Sequence, residues 1–355
     1  MTETTASCLH FWSPDYSKTG GVQRFSKTLI CETKEILGAD RVRPIQFRPN
    51  FGFIGKLMFT VQCFLQILIW RPDVIIITHL HLARLYSILK RFKIKYRIIL
   101  HGIEGWNLKH SKDIHALTHA ERIYCVSNYT REKLCTQLPD LREKVSIFPN
   151  HITSHLDQRR LESSSSVAHA ITGSPIILSV SRLSKSEAYK GHREFISILP
   201  KLIEDFPKLR YIIVGEGDDL PALRELTKSK NLQKFVEFTG YLDDIALNNI
   251  YKEADLFALP GYGEGFGIVY LEAALNGLPS LGSIHDGSGD ALHNGELGVL
   301  TDPKDPVRLE SDTRRLIEEV LAKKAQWDPN HLSKRVIELF GPDALRRRTL
   351  ELISV

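Results

Sequence analysis

The chain has 355 residues, 43% of them hydrophobic and 25% charged, with Lys+Arg 47 against Asp+Glu 42; this admits two ordinary domains, each with a core, and excludes a disordered or low-complexity protein. Five cysteines (Cys8, Cys31, Cys63, Cys125, Cys135) are an odd number without a C-x-x-C pair, which argues against a disulfide scaffold or a zinc site and for reduced, mostly buried thiols of a cytoplasmic protein. Residues 1–110 hold 16 Lys+Arg against 7 Asp+Glu, whereas residues 171–355 hold 23 against 28. The basic part suits a polyanion or an anionic membrane face. The aromatic-interleaved basic patches of nucleic-acid binders are missing, so no nucleic-acid partner is expected.

Along the chain, residues 1–7 are polar and carry Glu3, without the basic and apolar regions of a signal peptide. Strands are predicted at residues 8–12, 42–47, 74–78, 96–101, 122–126 and 145–148. The greasy stretch 54–70 is broken by Lys56, Gln62 and Gln66 and is too short and polar for a membrane span. Ile54, Leu57, Met58, Val61, Leu65 and Leu68 recur at helical spacing, which predicts a helix packed on a sheet through that stripe. Beyond it lies the basic cluster Lys90, Arg91, Lys93, Lys95 and Arg97. With the helix, this cluster suggests docking on an anionic membrane.

Residues 161–167 (Leu-Glu-Ser-Ser-Ser-Ser-Val) and Gly173-Ser-Pro175 are polar and aperiodic and read as a linker between domains 1–160 and 170–335. Strands are expected again at 176–180, 211–214, 236–239, 256–259, 279–282 and near Val299. Runs such as Val74-Ile-Ile-Ile and Tyr211-Ile-Ile-Val are continuously apolar, as strands covered on both faces are. Their alternation with helical stretches predicts two parallel-sheet α/β domains facing across a cleft, with ligands at the carboxyl ends of the strands.

Four features follow strands and carry chemistry. Thr19-Gly-Gly-Val-Gln-Arg24 leads into a helix; Gly20 and Gly21 permit close backbone approach, although a plain tight turn explains the pair equally well. His101-Gly102 ends the fourth strand, where an imidazole reaches a substrate hydroxyl or serves the structure. Ser181-Arg182-Leu183 and Tyr189-Lys190-Gly191-His192 bracket one loop, and Arg182 with Lys190 can place two cations on a diphosphate. Finally, Gly263-Glu264-Gly265-Phe266-Gly267-Ile268-Val269 opens a helix whose free N–H groups can hold a phosphate oxygen. Glu272, two turns in and flanked by Leu271 and Ala273, is costly to bury unless hydrogen-bonded, and ribose hydroxyls would do so.

In this order, and with Val214-Gly-Glu-Gly-Asp218 and Gly240-Tyr-Leu242, these segments make the chain resemble family 4 of the retaining glycosyltransferases, of the GT-B fold. The resemblance covers nearly the whole chain and is most specific in its second half. It implies two Rossmann-like domains, with a C-terminal helix at about 340–355, in a segment beginning near Asp328, crossing back to the first. It implies that Arg182 and Lys190 bind the donor diphosphate, with the amides of Gly267, Ile268 and Val269, the adjoining Phe266, and Gly20 and Gly21. Glu272 would hold the ribose, Tyr241 and Leu242 would meet the base, and Glu264 and His101 would contact the reacting sugar as the catalytic pair.

The expected donor is a UDP- or GDP-sugar, with a lean to a hexosyl or mannosyl group. The expected acceptor is a glycan or lipid-linked hydroxyl in bacterial surface-polysaccharide or glycolipid assembly, reached from the cytoplasm or the inner membrane face. No metal and no cofactor is expected, because cationic side chains and helix amides neutralise the leaving diphosphate. The alternatives are another enzyme of the same fold, such as a sugar-nucleotide epimerase, or a nucleotide-binding module without turnover.

Overall fold

The computed structural model describes residues 9–15, 20–48, 52–152 and 173–354. Cys8, Thr19 and most of the linker stretch, 161–172, lie outside the described residues. The chain divides into two compact units, Met1–His151 with Pro342–Val355, and Ile152–Gly341. Among the described residues no helix is long and apolar enough to cross a membrane.

In the first unit, six strands form one parallel sheet: β1 (Leu9–Pro14), β2 (Val42–Phe47), β3 (Val74–Ile77), β4 (Lys95–Leu100), β5 (Arg122–Cys125) and β6 (Val145–Ile147), in the order β2-β1-β3-β4-β5-β6. All four residues of β3 are buried, as its unbroken apolar run requires of a strand covered on both faces. On one face, α1 (Gly21–Leu37) supplies Phe25, Leu29 and Ile30 to a core with Phe11, Ile76 and Ile99. Leu345, Leu352 and Ile353 of the C-terminal helix Pro342–Ile353 join the same cluster. The preceding helix, Pro329–Phe340, belongs to the second unit, so the return begins at Gly341-Pro342 rather than near Asp328. Gly ending one helix and Pro opening the next fits the preferences of helix termini.

Arg97 holds that last helix in place. Its guanidinium is 6% exposed, donates to the carbonyls of Leu352 and Ser354, and pairs with Glu121 at 2.9 Å. A cation on the last carbonyls of a helix satisfies acceptors that the helix itself cannot. Lys95 also pairs with Glu121, at 3.0 Å. The predicted basic cluster therefore loses Arg97 to the interior; Lys90, Arg91, Lys93 and Lys95 are exposed, Lys95 with its charge paired to Glu121.

The stretch after Gly52 forms the predicted helix, α2 (Gly52–Trp70), but with the opposite face inward. Phe59, Cys63 and Ile67 pack into the core with Trp12, Ile45 and Ile75. Ile54, Leu57, Met58, Val61, Leu65 and Leu68, the stripe expected to pack on the sheet, are all exposed.

The second unit repeats the plan with β7 (Ile176–Val180), β8 (Arg210–Val214), β9 (Val236–Gly240), β10 (Leu256–Ala258), β11 (Ser280–Ser283) and β12 (Gly298–Thr301), in the order β12-β11-β10-β7-β8-β9, all parallel. The chain lays β7, β8 and β9 in one direction and then returns to the other side of β7 with β10. That reversal is the topological switch point of a doubly wound sheet, the place where such sheets bind ligands.

Candidate active site

Two loops leave the carboxyl ends of β7 and β10, the strands flanking the switch point, and meet. The first, 181–191, ends in a tight turn at Lys185–Lys190 and passes through Gly191 into the helix His192–Asp205. Gly191 has φ +83°, and a Cβ there would stand 2.1 Å from the carbonyl oxygen of Pro260, so only glycine lets the loops approach this closely. The second loop, 259–267, is tied to the first by the Tyr262 N–H, which donates to the Tyr189 carbonyl at 2.8 Å.

This approach brings together Lys190 and Glu264, 74 residues apart in sequence: Nζ lies 3.1 Å from Oε2. Lys190 also faces Glu187, at 3.7 Å, and Arg182 reaches the same Glu187 carboxylate. Both predicted cations therefore converge on one carboxylate, with Lys190 14% exposed and Arg182 81% exposed at their side chains. Burial by itself would lower the Lys190 pKa; Glu264 and Glu187 reverse this and raise it, so the ammonium stays charged. Glu187 is a residue that the sequence reading passed over, although it lies in the loop between the two cations.

Glu264 is held through its backbone. Its N–H donates to Asp286 Oδ2 at 3.0 Å, and its carbonyl accepts from the Gly287 N–H at 2.8 Å. Asp286 is buried, and burial pushes its carboxyl up against the opposing bonds from Ser288 and from the Glu264 amide. The Ser288 hydroxyl donates to Asp286 Oδ1 at 2.5 Å. A 285–288 turn thus fixes the height of Glu264, an arrangement without a sequence signal because its members lie on separate loops.

Gly267 takes the left-handed conformation, φ +89°, and starts the helix Ile268–Leu275. The Tyr270 N–H donates to the Gly267 carbonyl at 3.1 Å, so the N–H groups of Ile268 and Val269 lie ahead of the first helical bond and are available to an anion. The Phe266 side chain is 1% exposed, edge-on to Phe340 at 5.6 Å; it serves the core, and only its backbone shares the loop. Glu272 is 7% exposed, and the Tyr251 hydroxyl donates to it at 3.3 Å. Tyr251, on the helix Asp244–Glu253, supplies a protein partner where the sequence suggested only a ribose. Tyr241, at the carboxyl end of β9, is 75% exposed, and Leu242 beside it is half-buried.

The first unit places the remaining predicted residues at the carboxyl ends of its own strands. His101 follows β4, its ring edge-on to Phe25 at 4.8 Å and Nε2 2.9 Å from the Thr78 carbonyl. A carbonyl only accepts, so Nε2 carries the proton, leaving Nδ1 as an acceptor. Burial lowers the His101 pKa, against the opposing pull of Glu104 and the Thr78 carbonyl; the ring is neutral. Its backbone N–H donates to Glu104 Oε1 at 2.6 Å. Gly20 and Gly21 stand at the start of α1, with the Arg24 N–H donating to the Gly20 carbonyl at 2.9 Å and no acidic residue in the first turn. Among the described residues, no three His, Cys, Asp or Glu side chains group to hold a metal ion.

Residues 163–332 match the family of glycosyl transferases group 1. The chain is similar to the 2-deoxystreptamine N-acetyl-D-glucosaminyltransferase of Niallia circulans, 26% identical over 209 residues, which are 59% of this chain and 51% of that protein. It is also similar to the glycogen synthase of Mycobacterium tuberculosis (strain ATCC 25618 / H37Rv), 34% identical over 151 residues, 42% of this chain and 36% of the relative. The chain thus spans about half the length of the first relative and about a third of the second. Among solved structures, Anabaena HepE in complex with UDP superposes with a TM-score of 0.73 at 17% identity, covering 98% of this chain and 99% of the other. The chain therefore has the GT-B fold of two Rossmann-like units, and its residues 163–332 are similar to the glycosyl transferases of group 1.

Proposed function

We propose that the protein moves a glycosyl residue from a nucleoside-diphosphate sugar to an acceptor hydroxyl with retention at the anomeric carbon. The observation that carries this reading is the meeting of Lys190 and Glu264 at the switch point of the second sheet, beside the N-terminus of the helix Ile268–Leu275. A part-buried cation and free amides suit a diphosphate, and the adjacent carboxylate suits the hydroxyls of the sugar attached to it. HepE is described with UDP bound, which supports a nucleotide-sugar donor.

In the proposed reaction, the bond from the anomeric carbon to the diphosphate oxygen breaks, and its electrons leave with the nucleoside diphosphate. Lys190, Arg182 and the amides of Ile268 and Val269 meet the charge that develops there, taking the place of a metal ion. The acceptor oxygen bonds to the anomeric carbon from the face just vacated, and its proton passes to the departing phosphate oxygen. Glu264 orients the sugar, Glu272 binds the ribose, and Tyr241 and Leu242 contact the base. A hexosyl group is proposed, GDP-mannose being the first donor to test, with a glycan or lipid-linked acceptor in polysaccharide or glycolipid assembly at a membrane's cytoplasmic face.

A screen of UDP- and GDP-sugars, read by nucleotide release with and without sugar acceptors, tests this reading. Release of UDP or GDP and a product of unchanged anomeric configuration by NMR are expected. Tight nucleotide binding without release from any donor would make the protein a binding module, and donor converted to its epimer would make it an epimerase.

A further inference from the structure

The outward face of α2 has no function in glycosyl transfer as proposed above. On a helix turning about 100° per residue, Ile54, Leu57, Met58, Val61, Phe64, Leu65, Leu68 and Ile69 occupy a sector of about 140°. Their exposures run from 39% at Phe64 to 68% at Ile69. No charged residue interrupts the sector; Gln62 and Gln66 border one edge, and Lys56 falls outside it. Eight large apolar side chains, each exposed by about a third or more, form a patch above the roughly 300–600 Å² that is the largest on an ordinary monomer. A surface helix with its apolar side outward is inverted relative to water.

The surroundings are positively charged. Between residues 41 and 103 the sequence has eleven Lys and Arg against a single carboxylate, Asp73. The Arg43 guanidinium lies 3.9 Å over the ring of Trp70, the last residue of α2. Phe64 meets Phe92 edge-on at 5.6 Å, which sets the exposed Lys90, Arg91 and Lys93 beside the apolar face. Lys90 and Arg91 close the short helix α3 (Tyr86–Arg91).

We propose that this face of α2 docks on an anionic lipid surface, lying in the plane of the headgroups with Lys90, Arg91 and Lys93 on the phosphates. The helix lies on the membrane rather than crossing it: Phe59, Cys63 and Ile67 are 5%, 0% and 2% exposed and remain in the core of the unit. Apolar side chains ringed by cations match the acyl boundary and its anionic headgroups together. A second copy of the chain is a poorer occupant, because a two-fold contact sets the same cations against one another. The proposal is independent of glycosyl transfer.

The test is co-sedimentation of the full chain with vesicles of phosphatidylcholine alone or of equimolar phosphatidylcholine and phosphatidylglycerol. Two triple variants accompany it, Leu57→Gln with Val61→Gln and Leu68→Gln, and Lys90→Gln with Arg91→Gln and Lys93→Gln. All six side chains are exposed, so melting temperature and UDP or GDP affinity should be unchanged, which separates a docking failure from a failure of the donor-site reading. The wild-type chain should bind the anionic vesicles and release them at high salt. Loss of three surface cations should weaken partitioning on the order of 100-fold, and the apolar variant should fail even at low salt. Equal recovery with both vesicle types, or triple variants that bind like wild type, would overturn the proposal. So would a chain that ignores vesicles but forms a dimer which the apolar variant makes monomeric, since the face would then belong to a second copy.

Discussion

Replacing Lys190 by Ala is the most informative single change. The ammonium sits 3.1 Å from Glu264 and 3.7 Å from Glu187 with its side chain 14% exposed, so solvent and salt screen it little. A charge-assisted contact of this kind contributes about 1.5–3 kcal/mol, which is roughly 10- to 150-fold in affinity for a nucleoside diphosphate. The substitution also leaves two part-buried carboxylates facing the place of the phosphates, which pushes the loss toward the upper end. Arg182 offers the contrast: 81% exposed, it should contribute a term that fades as salt rises.

Calorimetry with UDP and GDP at low and high salt separates the two. The Lys190→Ala penalty should persist at high salt, and the Arg182→Ala penalty should shrink. Lys190→Ala should also destabilise the second unit by about 1–3 kcal/mol, because Glu264 and Glu187 lose their counter-charge. Adding Glu264→Gln should restore part of that stability without restoring nucleotide affinity. Unchanged affinity of Lys190→Ala for both nucleotides, or full recovery of binding in the double variant, would refute the diphosphate clamp.

The other predictions follow from the same geometry. Glu272→Gln should mainly raise the donor KM, since a ribose contact exists in ground and transition states alike, whereas Glu264→Gln should mainly lower kcat; steady-state kinetics showing the reverse would exchange their roles. EDTA should leave turnover within about a factor of two, and full loss restored by magnesium or manganese would show that a metal meets the diphosphate charge. Gly191→Ala should lower the melting temperature and nucleotide affinity together, because its Cβ would fall 2.1 Å from the Pro260 carbonyl oxygen; a variant as stable as wild type would contradict the observed loop contact. Burial holds the imidazoles of His10, His151 and His192 neutral, at about 4, about 3 and about 3. Unfolded histidine takes up its proton below about 6.5 while these do not, so their contribution is present above that pH and lost as pH falls. At about pH 5 each should cost roughly 2 kcal/mol; denaturant unfolding of His151→Gln should show a correspondingly smaller drop between neutral pH and pH 5, and an identical drop would exclude the effect.

Much of the fold, and the loops that form the candidate site, were legible in the sequence for local reasons. Every strand of both sheets lies within two residues of its predicted position; for runs such as those of β3 and β8 the reason is that continuous β-branched residues between turn signals have few other stable conformations. Gly267 and Lys190 stood out because strand-to-helix loops at carboxyl ends are where glycines and cations meet ligands. Glu187 was within reach of the same argument, midway between two cations already singled out. Tyr251 and Asp286 were not: each acts across elements, on Glu272 and on the Glu264 backbone, and no spacing along the chain encodes such a meeting.

Arg97 and α2 mark where the tertiary structure decides. Arg97 reads as one more surface cation beside Lys93 and Lys95, yet it is buried against the carbonyls of Leu352 and Ser354, some 255 residues away. Its partners exist only once the C-terminal helix has returned to the first unit. In α2 the sequence determined the helix through its 3.6-residue recurrence but not its inward face. A helix apolar on nearly every side carries no moment that singles out one stripe. Packing made the choice: Phe59, Cys63 and Ile67 fitted the sheet, and the stripe from Ile54 to Leu68 was left facing outward.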